Sequence, residues 1–176
     1  MENKQPASLV SHLISILLLP FNVTVVIPSL VLFFFNNTLG WGLISPVFFL
    51  VFSAGFLVLI AGILLVIVTV FQFAKKGNGT LAPWNPPNKL VVSGPYQYSR
   101  NPMISGVVLI LLGEVLIFGS WPLVLWFVSF TVVNYSYFIF GEEPHLHKKF
   151  GEDYAEYKRN VPRMVPRRTP WNPEEK

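Results

Sequence analysis

From Gln5 to Ala74 the chain carries no Asp, Glu, Lys or Arg. An uncharged stretch of that length cannot supply the solvated surface of a soluble domain, so the bilayer is expected to be the solvent for half of the protein. Composition agrees: 52% of residues are hydrophobic, 12% are charged and mean hydropathy is +0.52, whereas about a quarter of a soluble domain is charged. The expected fold class is an all-α integral membrane protein, with residues 1–176 as a single domain. The absence of Cys excludes disulfides, thiolate catalysis and thiolate metal sites together. His12, His145 and His147 have no familiar ligand spacing, so no metal is expected. A formal charge of +4 gives no indication of nucleic acid as a partner.

Apolar runs at 9–35, 46–73, 103–118 and 122–140 predict about four transmembrane helices. The N-terminus lacks a positive n-region and a small-residue cleavage site, so the first run reads as a retained helix, with Pro20 and Pro28 as kinks. Trp41, in the turn before the second run, suits a membrane interface. The last two runs form a short hairpin about Gly119-Ser120-Trp121-Pro122, and the first of them reaches only ~24 Å as a helix. Residues 74–102 are too broken by proline and glycine for a long helix. In the polar tail, 141–176, Leu146, Phe150, Tyr154 and Tyr157 recur at helical spacing, which predicts an interfacial helix interrupted at Gly151 and ended by Pro162.

Charge sets the expected orientation. Lys75, Lys76, Lys89 and Arg100 lie in the 75–100 loop with no acid, whereas the 36–45 and 119–122 turns are uncharged. The positive-inside rule therefore puts the loop, the tail and both termini in the cytoplasm, so loop and tail meet on one side.

Three places carry candidate chemistry. The segment SGPYQYSRNP at 93–102 offers Gly94 for close backbone approach, rigid corners at Pro95 and Pro102, two tyrosines and Arg100. Its bland alternative is a turn into a helix with interfacial aromatics. Glu142 and Glu143 directly follow the fourth apolar run, where carboxylates oppose a helix dipole and repel one another. Such a pair is expected to be strained until a cation arrives, and neutralising both is expected to leave folding intact; the bland alternative is a solvated helix exit. Glu114, the one formal charge within an apolar run, costs ~2.5 to 3.5 kcal/mol at membrane depth and marks a paired or functional residue unless the helix lets it reach water. His12 and Asn134 can each line a cavity, although interhelical hydrogen bonding is the commoner use of such residues.

The pattern GT-x-x-P-x-x-PP-x-x-LV-x-x-GPY-x-x-x-RNPM, followed after the hairpin by EE-x-x-L-x-x-x-FG-x-x-Y-x-x-Y-x-x-x-VPR, resembles the isoprenylcysteine carboxyl methyltransferase and phospholipid methyltransferase superfamily. The resemblance spans roughly residues 75–168. It implies a membrane enzyme that transfers a methyl group from S-adenosylmethionine, releasing S-adenosylhomocysteine, with no metal. Carried over by position, it implies a cofactor site of Gly94, Tyr96, Arg100, Asn101, Pro102 and Gly106 in the first cluster and Glu142, Glu143, Leu146, Tyr154 and Tyr157 in the second. Arg100, Glu142, Glu143 and Arg163 are the candidate catalytic residues, and Glu114 and Asn134, from their place in apolar runs, the candidate substrate cavity. Asn101 and Ile104 depart from the family pattern, which often has His and Tyr there. Pro144 suggests that a new helix starts after the glutamates, with Glu143 itself non-helical.

The groups present suit that cofactor. Arg100 can hold its carboxylate, Glu142 or Glu143 its ammonium or ribose, and aromatic faces its adenine or sulfonium. The expected acceptor is lipid-like or prenylated, foremost an isoprenylcysteine carboxylate, with phospholipid amines and small thiols as alternatives. An amine acceptor needs a base, for which His145, His147 or a glutamate are candidates. A lipid-binding protein that has lost catalysis is the competing reading. A transporter fits poorly, because the chain shows no internal repeat.

Overall fold

In the computed structural model, residues 17–35, 40–76 and 90–172 are described; His12, Lys89 and the start of the first apolar run lie outside them. The described residues contain helices and no strand. The first apolar run winds with wide π-type turns over Leu17–Val26 and continues as α1, Ile27–Phe34. Then come α2, Val47–Lys76; a 3-10 turn at Gly94–Gln97; α3, Pro102–Phe118; α4, Trp121–Tyr137; a π turn at Phe138–Glu142; and α5, Glu143–Asn160.

Among the described residues, two helical stretches are long and apolar enough to cross a membrane, Val47–Gln72 and the one that begins at Trp121, while Pro20–Phe34 and Pro102–Phe118 are shorter apolar helices. Their outer faces are strongly apolar: Phe33 is 76% exposed, Phe71 72% and Leu125 69%. In water this would be an aggregating surface, whereas lipid tails solvate it without cost.

The most extensive helix contact joins α2 to α3. Lipid gives apolar helices no hydrophobic reason to associate, so they must gain by close packing, and small residues at the seam permit it. Gly55 and Gly62 on α2 meet α3, and Gly106 and Gly113 on α3 meet α2. A Cβ built on Gly62 would lie 2.7 Å from both Gly106 O and Ile110 N. Around this seam Val107, Ile110, Leu111 and Val115 are buried.

At one end of the bundle, Gly119 takes the left-handed conformation (φ 59°) that closes α3, and it accepts a hydrogen bond from Trp41 N–H at 3.3 Å. The Trp41 ring meets Trp121 edge to face at 5.2 Å. On the fourth helix, Trp126 Nε1 donates to Val23 O at 3.2 Å and ties in the first apolar run.

At the other end, the expected break before Pro144 does not occur. Glu143 is helical (φ −58°, ψ −45°), and the chain passes from α4 into α5 through the π turn. The physical reason is local: Pro144 has no N–H for the carbonyl four residues earlier, and a widened turn absorbs that missing bond without ending the helix. The expected interruption at Gly151 is present (φ 56°, ψ −129°), and the helix ends at Asn160, before Pro162.

Gly62→Ala tests the seam. Both clashing atoms are backbone and cannot rotate away, so overpacking of ~1–3 kcal/mol is expected, seen as a lower thermal midpoint in detergent. A wild-type midpoint would mean that the two helices are not held at this separation.

Candidate active site at the membrane edge

The 3-10 turn begins at Gly94, whose positive φ brings its backbone against Gln72 near the end of α2. The following residues reach the tail. Tyr157 OH donates to Tyr96 O at 2.7 Å, and Ser99 Oγ to Arg163 O at 2.7 Å. Asn101 ends the loop as the N-cap of α3, its Oδ1 accepting from Ile104 N–H at 3.4 Å, and Pro102 fills the first helical position. An Asn-Pro pair is thus used to start a helix. The Asn101 side chain, the first departure from the family pattern, is engaged in that cap.

Capping fixes Arg100, one residue earlier, at the mouth of the apolar bundle. It is 9% exposed, and its guanidinium is held on several sides. Nε donates to Val161 O at 2.9 Å, and Nη1 to Glu143 Oε1 at 2.9 Å and to Tyr154 OH at 3.2 Å; the Phe138 ring lies 5.7 Å from its central carbon.

Glu143, 3% exposed, is the centre of the site. Its Oε1 also accepts from Arg163 Nε at 2.6 Å, and its Oε2 pairs with Lys158 Nζ at 2.7 Å. One carboxylate therefore serves three cations. Burial pushes its pKa up, but the hydrogen bonds from Arg163 and Lys158 and the Arg100 charge outweigh burial and hold it at about 2.

Glu142 is in the opposite situation. It is partly buried and has no hydrogen bond or ion pair among the described residues. Burial, reinforced by the neighbouring Glu143 charge, raises its pKa to about 7. The two glutamates, expected as one strained pair, divide into a satisfied carboxylate and an unsatisfied one.

Arg100, Lys158, Arg159 and Arg163 line one open cavity of about 480 Å³, with Tyr135 of α4 on its wall. Among the described residues, no acidic one lines it. With three of these cations sharing the single Glu143 charge, the cavity is net positive and suits an anionic group. The Tyr154 and Tyr157 phenols are pushed up by burial, so both stay neutral at physiological pH. Burial, with the Glu142 charge, does the same to Tyr96.

The other expected site residues lie elsewhere. Gly106 is buried against Gly62 and Val66 of α2, where its missing Cβ serves packing. Leu146 packs on the Tyr154, Tyr157 and Val161 cluster. Glu114 keeps one buried carboxylate oxygen without a partner among the described residues, and Asn134 Nδ2 donates to Phe130 O of its own helix at 2.9 Å, so no hydrogen bond joins the two. His145 and His147 are exposed. No group of side chains that could hold a metal occurs among the described residues. Sequence reasoning missed Lys158, Phe138 and Tyr135. Lys158 follows Tyr154 by four residues, which places both on one helix face and was a usable signal; nothing in the sequence pointed to the other two.

Separate substitutions of the glutamates should have different effects. Glu143→Gln leaves three cations around a neutral amide, and breaking a buried pair this way typically costs ~3–5 kcal/mol. Glu142→Gln removes a charge that the fold disfavours, so it should raise the thermal midpoint at pH 8, where the wild-type residue is ionised in both states. It should change nothing near pH 3, where the residue is protonated in both. The depressed Glu143 works in the other direction: its stabilisation is complete above the ordinary carboxylate range and is lost as pH falls towards about 2. Equal midpoints for the two variants at pH 8 would contradict this division.

No curated protein and no solved structure matches the chain significantly. The family model described as phospholipid methyltransferase matches residues 50–153, more than half of the chain, and the matched region contains Arg100, Glu142 and Glu143. With apolar helices that end in a polar, cation-lined site and a family match over most of that frame, the chain belongs to the phospholipid methyltransferase family of membrane methyltransferases.

Proposed function

We propose that the protein transfers a methyl group from S-adenosylmethionine to the amine of a phospholipid headgroup at the membrane surface. The observation that carries this reading is Glu142, a partly buried carboxyl with no hydrogen bond or ion pair among the described residues, on the same chain end as a net-positive cavity. The donor set fits the cofactor by its chemistry, since Arg100, Arg159 and Arg163 suit its carboxylate. When bound, the cofactor supplies an electrophilic methyl group on a sulfonium and leaves as a neutral thioether.

The protein's own residues hold charge and move a proton. The cations of the cavity attract an anionic carboxylate or phosphodiester and fix its position. The nitrogen of an ammonium headgroup must lose a proton before it can act as a nucleophile. Glu142, with a pKa of about 7, is suited to accept that proton near neutral pH. Exclusion of water by the apolar helices strengthens each of these interactions. The loop and tail face the cytoplasm in this reading, because the only charges of the 75–100 loop are cations.

A second reading, carboxyl methylation of an isoprenylcysteine-type acceptor, is favoured by the cation-lined cavity, which suits a carboxylate nucleophile that needs no base. Glu142 distinguishes the two. Purified protein incubated with methyl-labelled S-adenosylmethionine and phospholipid, prenylcysteine and thiol fractions should label the phospholipid amine. The rate should rise as pH passes through about 7, and Glu142→Gln should lower kcat by ~10²-fold or more. Label in prenylcysteine with Glu142→Gln fully active would establish the second reading, and no label in any fraction would leave the non-catalytic alternative. For orientation, reporters placed after Lys176 and near Asn78 should both be cytoplasmic; opposite sides would exclude a site shared by loop and tail.

A further inference from the structure

The loop at 94–101 carries Arg100 but holds little of its own backbone. Its internal bonds are those of one tight turn, Tyr96 N–H to Ser93 O at 3.2 Å and Tyr98 and Ser99 N–H to Pro95 O at 3.1 Å. Most of the remainder is taken up by a strap, residues 161–172. At one end of the loop, Arg100 N–H donates to Pro162 O at 2.8 Å and Asn101 N–H to Arg163 O at 3.0 Å. At the other, Tyr98 O accepts from Arg167 N–H at 3.0 Å and Gln97 O from Trp171 N–H at 3.1 Å.

Trp171 fastens the far end of this strap. Its indole stacks on Tyr157, with centroids 5.9 Å apart and planes at 30°, and joins the buried cluster of Tyr154, Tyr157 and Val161. Tyr157 is also the residue whose hydroxyl holds Tyr96 O. One aromatic pair therefore grips strap and loop together. The region matched by the family ends at residue 153, so the whole strap lies beyond it.

We propose that Trp171 is a positioning residue: by locking the strap onto Tyr157 it holds the 94–101 loop, and with it Arg100, in the geometry that binds the methyl donor. The final clause rests on the cofactor reading above, whereas the locking of the loop does not. Loss of the indole removes the aromatic stack at the strap's far end and leaves there the exposed Gln97 Nε2 to Asn172 Oδ1 hydrogen bond (3.0 Å), which competes with water, so Gln97 and Tyr98 open locally while α3 and the Glu143 cluster persist.

Hydrogen exchange on the full chain in detergent reads the first half. Trp171→Ala should speed exchange in a peptide covering 97–101 by about tenfold, the scale of one lost aromatic stack, and leave a peptide from 106–118 unchanged. Trp171→Phe keeps a stacking ring and should restore slow exchange. Titration with S-adenosylmethionine reads the second half: Kd and KM should rise about tenfold in Trp171→Ala, kcat should change less than about twofold, and Trp171→Phe should stay near wild type. Unchanged exchange in the Ala variant overturns the lock. Faster exchange with unchanged Kd overturns the link to donor binding. Equal losses in the Phe and Ala variants overturn stacking as the cause. A wild-type protein that binds no S-adenosylmethionine overturns the donor clause together with the proposed cofactor, while the exchange result still decides the lock.

Discussion

A single buried carboxylate organises the polar end of this protein. Glu143 begins α5, and its three cations come from three other places: Arg100 from the loop before α3, Lys158 from the end of α5, and Arg163 from the strap. Burying an ion pair rarely adds much net stability, because desolvation offsets most of the attraction. Geometry is what it determines. Once Glu143 is out of water, each donor must occupy its own position around two oxygens, and elements far apart in sequence acquire one relative arrangement. The cationic cavity follows, since one negative charge cannot neutralise three positive ones.

That cluster works only because the apolar frame delivers Arg100 to it. The glycine seam sets the separation of α2 and α3, and the axis of α3 sets where its N-terminus emerges. Asn101 and Pro102 start the helix there, so Arg100 is held one residue before the cap and next to the fully buried Pro102. Helix packing in lipid and charge placement at its edge are thus coupled through two residues. A shift in the seam would move the guanidinium before it altered any polar contact directly.

The two adjacent glutamates show how environment divides labour between identical side chains. Glu143 is ionised over any ordinary pH range because cations surround it, and Glu142 resists ionisation because burial and its neighbour's charge act together. Neighbouring carboxylates with acidity pushed in opposite directions are a recurrent arrangement where one group must hold charge and the other must exchange a proton. The chemistry proposed for Glu142 depends on Glu143 remaining charged beside it.

Much of the architecture was legible in the sequence for simple reasons. Charge-free apolar runs demand helices in lipid, so the boundaries expected near 46–73, 103–118 and 122–140 agree with the helices found, and glycine with proline marked the turn at 119–122. Tyr154 and Tyr157 at helical spacing announced the apolar stripe of an interfacial helix, and in the structure both are buried against Val161. Other features could not be read, because they depend on partners distant in sequence. Glu142 and Glu143 look alike until the strap and loop close on one of them. Gly106 sits inside a recognisable motif yet serves a helix seam, and Trp171 reads as an ordinary tail residue until it meets Tyr157. Local composition by itself determined which segments are helical and which are solvated by lipid, since those depend on hydrogen bonding and solvation within each segment. Which charge is neutralised, which carboxylate stays free and what holds the loop were decided only by tertiary structure, because electrostatic and stacking energies depend on distances that sequence neighbours do not set.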